Sequence, residues 1–140
     1  MKKIIISFIF LLFPTANISA DSLDETKRIV AGNKNAKITI ITYESLTCSH
    51  CADFHINIYP ELKRDYIDSG IAKIEFRHFP LDVAAFNASK ISQCKKDEGL
   101  EILESLYSNQ SKWVKGQTIE EVNENLKKFL KSQKFNLNFD

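Results

Sequence analysis

Four residues, Cys48-Ser49-His50-Cys51, set the chemistry available to this chain. Two thiols three positions apart can close a small, strained disulfide, and a strained disulfide is one that exchanges. The pair follows the apolar run Ile38-Thr39-Ile40-Ile41-Thr42-Tyr43. A strand running into a C-x-x-C, with a helix starting on it, is the context of a redox site. Exchange begins with attack by a thiolate, so such a pair must stabilise one. Cys48 lies at the predicted helix N-terminus, where unpaired N–H groups and the positive dipole end favour an anion. His50, protonated or donating an N–H, adds to that, so Cys48 is expected well below the ordinary thiol pKa of about 8.5. Cys51, one turn in and opening the buried face, reads as the resolving thiol. A stabilised thiolate favours the reduced form and makes the disulfide an oxidant, so His50 points to disulfide donation.

Other chemistries fit the spacing less well. A structural disulfide across three residues gives little loop-closure stabilisation and adds strain. A metal site could recruit His55 one turn beyond Cys51, but tetrahedral zinc needs a fourth protein ligand and no second cysteine pair exists. No metal and no cofactor is expected. His55 reads as a surface or half-buried helix residue. His78 shares parity with Ile74 and Phe76 near a strand end and reads as structural, and Trp113 as a helix-packing anchor.

The elements that must hold the pair follow from periodicity. Residues 21–37 are polar and read as a lead-in with little regular structure. The run 38–43 is apolar on both parities, as in a strand covered on both faces. From Cys51 the period changes: Phe54, Ile58 and Leu62 fall four apart, with Tyr59 and Tyr66 beside them, one face of a helix. Pro60 should kink that helix and Gly70 suits its C-terminal cap. Ala72, Ile74 and Phe76 then alternate with Lys73, Glu75 and Arg77, a second strand parallel to the first in a right-handed β-α-β unit. Beyond Pro80 the chain reads as helical. Asp82 caps a helix to about Lys96, Asp97 another with Leu100, Leu103 and Tyr107 on one face, and Thr118 with Glu121 forms a capping box ahead of a third.

The N-terminus predicts the compartment. Met1-Lys2-Lys3 is a basic region, residues 4–13 are apolar except Ser7, and Ile18-Ser19-Ala20 offers a small residue for cleavage before Asp21. Residues 1–20 therefore read as a cleaved secretory signal peptide, too short for a permanent anchor, leaving 120 of 140 residues. Cleavage takes basic residues from 19 to 17 against 18 acidic ones, and net charge from +1 to −1. A near-neutral chain without a basic block offers nucleic acid or anionic lipid no electrostatic footing. Three cysteines in an exported chain leave one thiol, Cys94, without an internal partner.

The stretch from Thr42 through Cys48-Ser49-His50-Cys51-Ala52-Asp53-Phe54-His55, then Tyr59-Pro60, then Phe76-Arg77-His78-Phe79-Pro80-Leu81-Asp82, resembles the DsbA-like branch of the thioredoxin superfamily. The likeness runs from about Gly32 to Gln110. It implies an exported, periplasmic thiol:disulfide oxidoreductase that oxidises cysteine pairs in newly translocated proteins and is reoxidised by a membrane quinone-linked partner. Carried over, Cys48 is the attacking and donating cysteine, His50 the thiolate-stabilising histidine and Cys51 the resolving cysteine. Ser49 stands where the family commonly has proline, a position that tunes reduction potential. Cys94 resembles the first member of a structural disulfide found in some relatives.

The implied fold is α/β: a thioredoxin-like β-α-β unit over 21–80 and a helical insertion over 81–140. The family's cis-proline loop, two further strands and closing helix have no counterpart, since Pro14, Pro60 and Pro80 are not placed to serve. The C-terminal half of the thioredoxin fold is therefore expected to be missing, with one side of Ile38–Tyr43 uncovered. The alternative functions are a reductase or isomerase on the same scaffold, and a redox-inactive remnant or metal-binding module.

Overall fold

A computed structural model of the chain describes residues 28–95, 99–135 and 137–138. The expected signal peptide over 1–20 and the expected cap at Asp97 lie outside the described residues.

Strand β2 (Ile38–Glu44) and strand β3 (Ala72–His78) pair in parallel, with Ile40 opposite Ile74 and Glu44 opposite His78. This is the expected β-α-β unit, but the lead-in is not wholly irregular. Ile29–Ala31 forms a short strand β1, antiparallel to β3, and the sheet order is β1-β3-β2. Ile29 and Ala31 are each 5% exposed, so three residues suffice because both inward side chains are buried. Strand β2, at the other edge of this sheet, is covered on one face only. Ile40 and Thr42 are half-buried and Glu44 buried, while Thr39, Ile41 and Tyr43 on the opposite parity are exposed. The two-sided cover suggested by the apolar run is therefore corrected; Tyr43 is held outside by the Arg77 guanidinium, which donates to its hydroxyl at 2.8 Å.

From Ser49 to Ile67 the chain is one continuous helix of changing pitch. Helix α1 (Ser49–Asp53) passes through a π-turn at Phe54–Ile58 into helix α2 (Tyr59–Leu62), then a second π-turn at Lys63–Ile67. The first wide turn lies where a proline needs it. Pro60 has no N–H, and its ring would crowd the carbonyl four residues back in a regular helix. Each wide turn also adds a residue and rotates the helix beyond it. Of the expected Phe54/Ile58/Leu62 face, Phe54 and Leu62 pack half-buried against the core, but Ile58 is 54% exposed, and the residues turned fully inward are Ala52, His55, Tyr59 and Ile67.

Gly70, at φ +78, ends this helix with its N–H on the Ile67 carbonyl at 3.0 Å. Gly32, at φ +101, is more constrained, since a Cβ there would lie 2.7 Å from Ile67 Cγ2 and 3.1 Å from the Ala72 carbonyl. Gly32→Ala is expected to destabilise the fold by about 1–3 kcal/mol. The measurement is a lower denaturant midpoint at unchanged m-value; an unshifted midpoint would show that this turn is not held as described.

Helix α3 (Val83–Gln93) starts on Asp82, whose Oδ1 accepts the Ala85 N–H at 2.7 Å, and ends three residues short of Lys96. Helices α4 (Gly99–Ser108), α5 (Gln110–Trp113) and α6 (Ile119–Ser132) complete the described chain. Trp113 is fully buried and donates its indole N–H to the Leu106 carbonyl at 2.9 Å, the anchor role expected of it. At α6 the capping box is shifted by one residue. The Thr118 hydroxyl accepts the Glu121 N–H, while the Glu121 carboxylate reaches back to the N–H of Gln117. The core runs unbroken from Ile74 and Phe76 on β3, through His55 and Tyr59, to Leu106 and Tyr107 on α4, and on to Leu126 and Phe129 on α6. No helix among the described residues is long and apolar enough to cross a membrane.

Candidate active site

The turn between β2 and α1 carries the thiols. Ser45 and Leu46 are buried at its base, and Cys48 closes it with its N–H on the Ser45 carbonyl at 3.0 Å. Cys48 is the N-cap of α1, with extended backbone at φ −77 and ψ 119. Its Sγ accepts the N–H of Cys51 at 3.4 Å, where an N-cap serine or aspartate would place an oxygen. Cys48, Cys51 and His50 are thus gathered on the first helical turn, as the spacing predicted.

The two thiols are unequal, and the cause is geometric. Both are free. Cys48 is pulled below the ordinary thiol range chiefly by the Cys51 thiol donating to it, then by the backbone N–H groups of Cys51 and His50; burial and the Glu44 carboxylate act against this. Cys51 is pushed up, first by its own burial and further by Cys48 and Glu44. His50 is exposed, and it favours the Cys48 thiolate through its backbone N–H, less than Cys51 does.

Surrounding loops fix the turn. The Thr47 hydroxyl donates to Asp82 Oδ2 at 2.6 Å, so one aspartate caps α3 and holds the residue before Cys48. The Leu81 N–H reaches the Ser45 hydroxyl at 3.3 Å, and the Phe79 N–H the Glu44 carbonyl at 2.7 Å. From α5, the side-chain amide of Gln110 donates to the carbonyls of Leu46 at 2.8 Å and Cys48 at 3.0 Å. Gln110 carries no signal in the sequence, because the partners lie 64 and 62 residues away.

Beneath the thiols lies a buried polar group. His55 is 6% exposed, not a surface or half-buried residue, because it shares the buried helix face of Ala52, three residues before it, and Tyr59, four after it. Its Nε2 meets Glu44 Oε2 at 2.7 Å, and its ring stacks on Tyr107 with centroids 4.1 Å apart. Burial, then Glu44, pushes the Tyr107 phenol up, yet no hydrogen bond joins the two: the Tyr107 hydroxyl, Glu44 Oε1 and His55 Nδ1 have no hydrogen-bond partner. His78 is half-buried, within 2.7 Å of the Ser92 hydroxyl, and held by burial below the usual histidine range, in keeping with a structural role. Cys94 is exposed at the C-cap of α3, its thiol on the Lys90 carbonyl at 3.3 Å. Among the described residues no group of three or more His, Cys, Asp or Glu side chains is assembled to hold a metal ion.

Comparison with known proteins places this geometry in context. The model of a protein family described as "Thioredoxin" matches residues 24–140. A Rickettsia bellii protein named "Putative protein-disulfide oxidoreductase" is 38% identical over 87 residues, which cover 61% of this chain and 34% of that relative. The crystal structure of Wolbachia pipientis alpha-DsbA1 superposes with a TM-score of 0.65 at 30% identity, over 87% of this chain and 57% of that one. The crystal structure of a protein-disulfide isomerase from Novosphingobium aromaticivorans, at 20% identity and a TM-score of 0.63, is alike in fold over 73% of this chain and 62% of that one. The chain spans about a third of the length of the Rickettsia relatives it matches.

Proposed function

This chain belongs to the thioredoxin family, as a DsbA-like member, and on that premise we propose that it is a thiol:disulfide oxidoreductase that donates the Cys48–Cys51 disulfide to reduced cysteine pairs in exported proteins. A substrate thiolate attacks Cys48 Sγ, the Cys48–Cys51 bond breaks, and Cys51 leaves with the electron pair. The substrate's second thiolate then attacks the substrate sulfur of the mixed disulfide and expels Cys48 as a thiolate. The substrate loses two electrons and the pair gains them.

The observation that carries this reading is the inequality of the two sulfurs. The N-cap sulfur, facing the N–H groups of Cys51 and His50 and the Cys51 thiol, is the better leaving group in the second step. The buried sulfur, with its raised pKa, is the one kept within the protein. Stabilisation of the Cys48 thiolate favours the reduced protein and so makes the disulfide oxidising. Export through the signal peptide over 1–20 would put the reaction in the periplasm, with a membrane quinone-linked protein restoring the disulfide.

The test is an ultraviolet titration of the reduced protein's thiolate with a parallel measurement of reduction potential. Cys48 is expected to titrate well below about 8.5, with a potential less negative than the roughly −270 mV of a reductase-type pair. An ordinary titration and a potential near that value would turn the reading towards a reductase. The linkage has a definite sign. A depressed folded-state pKa stabilises the reduced fold fully above the unfolded value of about 8.5, and this is lost as pH falls through the folded value. Oxidising power relative to a dithiol of ordinary pKa is expected to decline as pH falls through the same window.

A further inference from the structure

We propose that Gln110, on the helical insertion, is a positioning residue for the redox pair: its amide holds the Cys48 carbonyl and so sets how firmly the Cys48 thiolate is stabilised. This rests on the assignment of Cys48 as the exchanging thiol. One side-chain nitrogen spends both hydrogens on the active-site turn, at 2.8 Å to Leu46 and 3.0 Å to Cys48. Such an amide has two N–H donors, so the nitrogen is fully used. Its placement is secured from behind. α5 is only four residues long, yet Trp113 at its end is fully buried and tied to Leu106, and the Val114 N–H returns to the Gln110 carbonyl at 2.8 Å. Leu46 is itself fully buried, so one of the two carbonyls is an immobile anchor and the amide spans from it to the other.

The Cys48 carbonyl matters because of what shares its residue. Thiolate stabilisation needs the Cys48 sulfur to face the N–H groups of His50 and Cys51, which requires the extended Cys48 backbone at ψ 119. Rotation about that bond swings the carbonyl, and the carbonyl is held from two sides: by the Ala52 N–H at 3.1 Å within the helix and by Gln110 across the fold. The donor also draws charge from an oxygen whose negative end would otherwise repel a thiolate on the same residue. Thr47 and Ser45 are held by Asp82 and Leu81 from the β3–α3 link. Gln110 is the tie from the insertion to the cysteine's own peptide group.

The test compares the reduced protein with Gln110→Glu, nearly isosteric but presenting oxygens to two carbonyls, and Gln110→Met, of similar length without donors. Each variant's Cys48 titration is followed by thiolate absorbance, beside its thermal unfolding and reduction potential. In either variant that folds, the Cys48 pKa is expected to rise by about half a unit to one unit, a roughly three- to tenfold loss of thiolate well below the pKa. The potential should shift in the reducing direction. A purely structural glutamine would lower the unfolding temperature and leave titration and potential unmoved, which would overturn the proposal. Should Gln110→Glu fail to fold, Gln110→Met decides alone. If the unmodified protein itself titrates at an ordinary thiol value, it is the assignment of Cys48 that fails; if it titrates low and both variants match it, the role of Gln110 fails.

Discussion

Cys48→Ser is expected to abolish disulfide donation, and Cys51→Ala to convert the chain into a trap that keeps its substrate as a mixed disulfide through Cys48. The two outcomes differ because the sulfurs do. Without Cys48 no intramolecular disulfide remains to donate, and the residual thiol at position 51 is one that burial pushes up. A thiol that burial holds in its protonated form offers little thiolate for attack, so exchange through Cys51 should run far below the native rate. Without Cys51 the thiolate at Cys48 loses the Cys51 thiol that donates to it, but keeps the backbone N–H groups of residues 50 and 51. It should still attack the disulfide of a one-cysteine peptide dimer, and the adduct persists because neither Cys51 nor a second substrate thiol is there to expel Cys48. Incubation with that oxidised peptide dimer, followed by mass spectrometry without reductant, reads both. An adduct on Cys51 in the Cys48→Ser protein, at a rate near native, would reverse the assignment of roles. Cys94, exposed and free, is the internal control for adducts formed outside the pair.

The β-α-β unit and the thiols at its first turn were legible because the relevant signals are local. A strand of alternating or continuous apolar residues, a helix start and a C-x-x-C each occupy one stretch of chain, and the register of Ile40 on Ile74 follows once both strands are parallel. Three features were not legible. β1 is three residues long, and its hold on β3 comes from burial of Ile29 and Ala31 by partners far along the chain. The burial of His55 escapes a helical wheel centred on Phe54 and Ile58, because the most buried stripe runs through Ala52, His55 and Tyr59. Gln110 reaches the active-site turn only because Trp113 fixes a short helix in the right place. Local pattern finds the reactive residues, while the groups that tune them come from tertiary packing.

His55→Leu is expected to produce the largest loss of stability, about 3 kcal/mol. The substitution leaves Glu44, 5% exposed and with Oε1 already unpaired, without its contact to Nε2, which costs about 1–3 kcal/mol. It also removes the stack on Tyr107, worth about 0.5–1.5 kcal/mol. For a domain of this size the unfolding temperature should fall by about 10–20 °C. The partner substitution tells whether the pair is the cause. Glu44→Leu alone strands the His55 ring in the same way, but Glu44→Leu with His55→Leu removes both polar groups, so the double variant should be less damaged than the two singles added together by about 1–3 kcal/mol. Additivity to within about 0.5 kcal/mol in denaturant unfolding would mean that the two side chains are independent. The same pair bears on the chemistry. Glu44 raises both thiols, so Glu44→Gln, which keeps an acceptor for His55, should lower the Cys48 and Cys51 titrations together. A buried acid one layer below the redox turn thus supports the fold through His55 while opposing the thiolate above it, and the N–H groups that face Cys48 must outweigh it.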